Sequence, residues 1–97
     1  MNMSSLDIDQ SKTEYINNIS VISRGQFTLP KEIRDRHDIA QGSLVIASIT
    51  VNETHIPLGI SYIGESGRVT IPTYIIELLN ITKDTTLDGE ITPVIIS

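Results

Sequence analysis

The 97-residue sequence has no cysteine and no tryptophan, and only one phenylalanine and three tyrosines. Without cysteine there are neither disulfide staples nor thiolate zinc sites, which fits a reducing compartment. With so few aromatics the core must be aliphatic; isoleucine dominates the apolar content, which suits strands. No apolar run is long enough to cross a bilayer as a helix and none has the form of a secretory leader, so a cytoplasmic protein with no membrane partner is expected. Positive charge is also scarce. Seven Lys and Arg stand against twelve Asp and Glu, a net charge of −5, whereas a generic nucleic-acid binder needs positive potential.

Catalytic constellations are missing as well. The two histidines, His37 and His55, have no metal-ligand spacing, and there is neither a nucleophile elbow nor a glycine-rich phosphate loop. Neither an enzyme nor a cofactor or metal is expected.

What the chain does contain is a repeat. Residues 23–39, SRGQFTLPKEIRDRHDI, recur 42 positions later: Gly25 falls on Gly67, Thr28 on Thr70, Pro30 on Pro72, Ile33 on Ile75 and Ile39 on Ile81. Each unit reads as a glycine turn, a short strand, a proline that ends it, and a helix of about two turns at residues 31–37 and 73–79. A longer strand follows in each copy. Residues 52–54 read as a hairpin turn, and Pro57 and Gly59 mark the returning strand as an edge or bulged one. At the C-terminal end, Thr92-Pro93 is expected to split two closing strands.

The repeated run resembles the SpoVT/AbrB-like family, the swapped-hairpin fold of AbrB-type transition regulators and MazE-type antitoxins. Its signature is a basic residue, a Gly turn, an aliphatic strand ending in Pro, Ile-Arg on a short helix, and a Gly before the next strand. The first copy carries all of it in Arg24, Gly25, Leu29, Pro30, Ile33, Arg34, Ile39 and Gly42. The second keeps Gly67, Arg68, Ile71, Pro72, Ile75 and Ile81, but has Ile76 where the Arg belongs and Asp84 where the Gly belongs.

Repeat and resemblance together imply a mainly β chain with two short helices, a swapped-hairpin β-barrel made pseudo-twofold by the tandem copies. Residues 1–14 are expected to form a disordered or loosely held arm, and residues 15–97 one domain of two repeats, about 19–54 and 60–97. In the first strand, Tyr15, Ile19 and Val21 are expected on one face, with Ile16 offset.

The copies differ in charge. Residues 19–50 carry Arg24, Lys31, Arg34 and Arg36 against Glu32, Asp35 and Asp38, a balance of +1; residues 61–92 carry Arg68 and Lys83 against five acids, a balance of −3. Clustered arginines can hold phosphates and donate bidentately to guanine edges. The resemblance implies double-stranded DNA as partner, with Arg24 and Arg34 at the family's contact positions; Lys31, Arg36, Gln26 and Arg68 would support them. A plainer reading stays open: Lys31–Asp35, Glu32–Arg36 and Arg34–Asp38 are i,i+4 opposite-charge pairs on a solvated helix, and Arg68 faces Glu65 across its turn.

In the second helix the matching positions are apolar, and Ile75, Ile76, Leu78 and Leu79 are read as a self-association face of a homodimer. The function expected is a DNA-binding transcriptional regulator. Two other readings remain, an antitoxin whose partner is a toxin protein, and an interaction module that has lost DNA binding.

Overall fold

Pro30 and Pro72, at φ −58° and −55°, each stop a three-residue strand and lead into a six-residue helix. The computed structural model describes residues 6–22 and 25–96. Its strands are β1 Leu6–Ile8, β2 Glu14–Ser20, β3 Gln26–Thr28, β4 Leu44–Val51, β5 Thr54–Tyr62, β6 Arg68–Thr70 and β7 Thr86–Ile96; its helices are α1 Lys31–Arg36 and α2 Thr73–Leu78. Helices this short do not persist alone. Each is pinned by one buried isoleucine, Ile33 or Ile75. Each also ends in the same left-handed cap: Asp38 (φ 52°) and Asn80 (φ 54°) turn the chain, so that Ile39 N donates to Arg34 O at 2.8 Å and Ile81 N to Ile76 O at 2.9 Å.

The 42-residue shift also relates the strand registers. β3 pairs antiparallel with β6 about Phe27↔Val69, and β4 with β7 about Ser48↔Glu90; both central pairs join a residue to its own repeat counterpart. One pseudo-twofold axis therefore accounts for both pairings. It also maps Leu44↔Tyr62 of the β4–β5 hairpin onto Thr86↔Ser20 of β7 and β2. The core obeys the same rule. Phe27 and Val69, Leu29 and Ile71, Val45 and Leu87, Ile49 and Ile91, and Val21 and Ile63 are buried as pairs, one from each repeat. The β3–β6 ribbon and the helices cover one face of the large sheet, where the Phe27 ring lies against Gly89.

The main sheet runs β1-β7-β4-β5 with β2 also on β7, and β3–β6 is a separate two-stranded ribbon. The structure is thus mainly β with two short helices, as expected, but the strands do not close into the expected barrel. Edge chemistry gives the reason. β5 carries a register shift between Ala47 and Ser48, opposite Gly59 and Pro57, and β2 carries one between Ile16 and Ile19. A bulge turns an edge away from further pairing, and proline removes a donor from it.

Three local expectations are corrected. Residues 6–13 are not a loose arm: β1 pairs with β7 from Leu6↔Ile96 to Ile8↔Val94, and Thr13 Oγ1 lies 2.7 Å from Thr92 Oγ1; residues 1–5 lie outside the described residues. In β2 the bulge at Asn18 (φ 58°) changes the phase of alternation, so Ile16 and Ile19 are both buried and Tyr15 is exposed. β7 is one continuous strand through Pro93, which lies where its neighbour changes from β2 (Glu14↔Ile91) to β1 (Ile8↔Val94). At that break the ladder can spare a donor.

Phe27, fully buried on the axis, has the core's largest side chain, and Phe27→Ala is expected to cost about 3–5 kcal/mol in urea unfolding. Glu53→Gly should act in the opposite direction. Glu53 holds φ 68° beside Asn52 at 50° in the two-residue β4–β5 turn, and glycine there should raise stability by roughly 0.5–1 kcal/mol.

Candidate nucleic-acid interface

In a ribbon of alternating pleat, burying Phe27 and Val69 forces Gln26, Thr28, Arg68 and Thr70 to the opposite face. Thr28, Arg68 and Thr70 are exposed and Gln26 half-buried. Gln26 Nε2 donates to its cross-strand partner Thr70 Oγ1 at 3.1 Å, so this glutamine braces the two repeats against one another.

At the ends of the ribbon, each glycine turn meets the helix of the other repeat. Leu29 N donates to Gly67 O, and Ile71 N to Gly25 O, both at 2.9 Å. A Cβ placed on Gly67 (φ 80°) would stand 2.5 Å from Arg34 Cδ and 2.7 Å from its Nε; on Gly25 (φ 68°) it would stand 2.7 Å from Ile76 Cδ1. Both glycines are thus required twice, for the left-handed backbone and for the close approach. The Arg34 stem lies over Gly67, and its Nε donates to Leu29 O at 3.1 Å. This brings a first-repeat arginine alongside the turn that carries the exposed Arg68. Among the described residues, the terminal nitrogens of Arg34 have no hydrogen-bond partner, and neither arginine lies within ion-pair distance of a carboxylate. The expected Arg34–Asp38 and Arg68–Glu65 pairs are therefore not formed.

The other sequence-derived candidates fall elsewhere. Arg24 lies outside the described residues. Lys31 Nζ is 2.7 Å from Asp35 Oδ2 in an exposed i,i+4 pair, as the plainer reading has it. Arg36 does not pair with Glu32; its Nη1 donates to Glu14 Oε2 on β2 at 2.7 Å, and His37 Nε2 lies 2.7 Å from the same oxygen. The apolar end shows Ile76 over Gly25, beside a groove of about 350 Å³ lined by Val21, Ile22 and Ile81. The self-association face read on the second helix is largely turned inward. Ile75 is core and Ile76 and Leu79 pack against it, because a two-turn helix lying on a sheet must bury its central residues. Of the four, only Leu78 is exposed, next to Tyr74.

Glu14 is the residue that sequence reasoning missed. Its repeat counterpart is Ile56 and that of His37 is Leu79, both packed against the core. The first repeat therefore has a carboxylate and an imidazole at positions filled by two aliphatic side chains in the second. Charge alternation along α1 could not reveal this, but the paired change at two positions 23 residues apart could. Among the described residues, no group of three or more His, Cys, Asp and Glu could hold a metal ion, and no helix is long and apolar enough to cross a membrane.

No protein-family model matches the chain, and no curated protein does. Among solved structures, the chain is similar in fold to PHS018 from Pyrococcus horikoshii, determined in solution, with a TM-score of 0.71 over 88% of this chain and 92% of that one at 19% identity. A likeness at this identity is one of fold.

Two measurements probe these contacts. The hydrogen bonds from His37 and then Arg36 hold the Glu14 carboxyl below the usual glutamate range. A folded-state pKa below the unfolded one gives stability that is complete above the ordinary glutamate pKa and lost as pH falls through the lowered value. Melting temperature should therefore drop on acidification, and Glu14→Gln should flatten part of that drop; identical profiles would mean that the contact contributes nothing. Gly67→Ala should cost about 1–2 kcal/mol from its backbone alone, and more while Arg34 is present than in an Arg34→Ala background, which a double-mutant cycle reads directly.

Proposed function

We propose that the chain is a DNA-binding transcriptional regulator related to the swapped-hairpin SpoVT/AbrB-like proteins, with one molecule supplying both repeats and no cofactor. The kinship is supported by the interleaving of the repeats, whose short strands pair with each other and whose glycine turns are each covered by the opposite helix. The observation that carries the DNA reading is the packing of Arg34 over Gly67, the residue before exposed Arg68, with no carboxylate partner for either arginine among the described residues and beside a polar two-stranded ribbon. A major groove roughly 12 Å wide admits such a ribbon. Arg34, held at its Nε by Leu29 O, presents its remaining donors in a fixed direction, as bidentate recognition of phosphate or guanine requires. Thr28 and Thr70 would contact the duplex beside Arg68, and Arg24 is kept as a contact on the resemblance alone. Lys31 and Arg36, each already paired with a carboxylate, contribute less. The protein would act in the cytoplasm, as a homodimer.

The alternative is a protein-interaction module without DNA affinity. It is favoured by the net charge of −5 and by the same neutralisation of Lys31 and Arg36. A duplex titration separates the two. Random and promoter DNA should both bind at low salt, promoter DNA more tightly, and Arg34→Ala and Arg68→Ala should each weaken binding and reduce the slope of log K against log salt by about 1. Absence of binding at low salt would select the interaction module; unchanged slopes would remove these two arginines from the interface.

A further inference from the structure

The large sheet has a second face, turned away from the ribbon and helices. On β4 the residues alternating with buried Val45, Ala47 and Ile49 are Leu44, Ile46, Ser48 and Thr50. Directly opposite residues on neighbouring strands share a face, so Leu44 stands with Tyr62, and Ile46 with Ile60 and Thr92. Val94, one step past Pro93, stands with Ile8 of β1. One end of this face is therefore an apolar patch. Tyr62 is 73% exposed, Ile60 53% and Ile8 44%, while Leu44, Ile46 and Val94 are half-buried.

The pseudo-twofold supplies an internal control. The counterparts of Leu44, Ile46, Ile60 and Tyr62 are Thr86, Asp88, Asn18 and Ser20, all exposed and all polar. There Asn18 N donates to Asp88 Oδ1 at 3.0 Å. The same architecture thus stands with a fully polar row at the equivalent place, and packing does not demand apolar side chains at the other end. Patches of this kind on a small domain mark interaction surfaces.

We propose that this end of the sheet docks a second copy of the same chain, sheet face on sheet face, in a weak twofold dimer. Charge argues for that occupant. The six side chains carry no charge, and the acidic Asp88 and Glu90 lie toward the polar end of the face. Two molecules of net charge −5 repel each other over most of their surfaces. They can approach where both are neutral and apolar, and the patch on a second copy matches that description. Area argues for weakness. Six such side chains expose on the order of 450 Å², so a pair would bury roughly 900 Å² plus its rim, near the lower limit of specific interfaces. The pair should form at about tens to hundreds of micromolar and strengthen as salt screens the repulsion between two acidic chains. The proposal does not depend on DNA binding.

The test is sedimentation velocity from about 5 to 500 μM on the wild type, on the double variant Ile60→Asn/Tyr62→Ser, and on Leu78→Ser, with a melting curve for each. The double variant installs the residues that the other repeat already carries, so its fold should persist. The wild type should pass from monomer to dimer over this range, the double variant should stay monomeric with a wild-type melting curve, and Leu78→Ser should dimerise as the wild type does. A wild type that stays monomeric at the highest concentration would assign the patch to a different partner and overturn the proposal. So would a double variant that still dimerises, or association abolished by Leu78→Ser. If the double variant melts early, the single change Tyr62→Ser, remote from the core, takes its place under the same criteria.

Discussion

Each glycine turn is closed by a side chain from the opposite repeat, and the approach leaves no room for a Cβ. Arg34 covers Gly67 and Ile76 covers Gly25, while Leu29 and Ile71 each donate a backbone hydrogen bond to the carbonyl of the opposite glycine. This reciprocal closure fixes the β3–β6 register about Phe27↔Val69. It holds two helices that are too short to stand alone, and it sets the polar face of the ribbon outward. Neither repeat can bury its own strand without the other. A change at either turn therefore acts on both halves, which a chain of two separate domains would not show.

Within that symmetric frame, the differences between the repeats show which side chains the fold does not dictate, and three of them stand out. At the glycine turns one covering residue is an arginine and the other an isoleucine. At the outer end of each helix, Glu14 and His37 stand where the second repeat has Ile56 and Leu79. On the open face of the sheet, an apolar row stands where the counterpart is polar. At the glycine turns the backbone geometry is shared, so the difference in side-chain chemistry there is not required by the fold. Arg34 covers Gly67 with its Cδ and the inner part of its guanidinium, as Ile76 covers Gly25 with its Cδ1 and Cγ1, while keeping its terminal donors for another group.

The repeat made most of this architecture legible, because a 42-residue shift in sequence became a twofold axis in space. Glycine turns, prolines and both helix boundaries fall where the pattern puts them, within a residue. The errors come from features that lack a periodic signature. A bulge at Asn18 reverses the face of Ile16 and Tyr15, since one extra residue moves every side chain to the other side of the sheet. Pro93 reads as a break in sequence, yet it falls at the change of neighbour where no donor is needed. The arginines were found by pattern, but not their different circumstances: the link from Arg36 to Glu14 spans 22 residues and two elements, and i,i+4 reasoning on one helix cannot see it.

The ribbon and the apolar patch lie on opposite sides of the molecule, since Phe27 lies against Gly89 on one face of the sheet and Tyr62 and Ile60 project from the other. A single palindromic site demands two arginine sites turned toward the same duplex. A pair joined back to back through its sheets holds them facing away from each other. In such a pair, one duplex could not reach both sites without being bent around the dimer, and bending even 20–30 base pairs by 40–90° costs on the order of 1–6 kcal/mol. Two separate duplex segments would meet the same sites without that cost. For a chain that binds DNA as proposed, such a dimer would favour bridging between DNA segments over paired reading of one operator, with the strength of the bridge set by how weakly the two sheets associate.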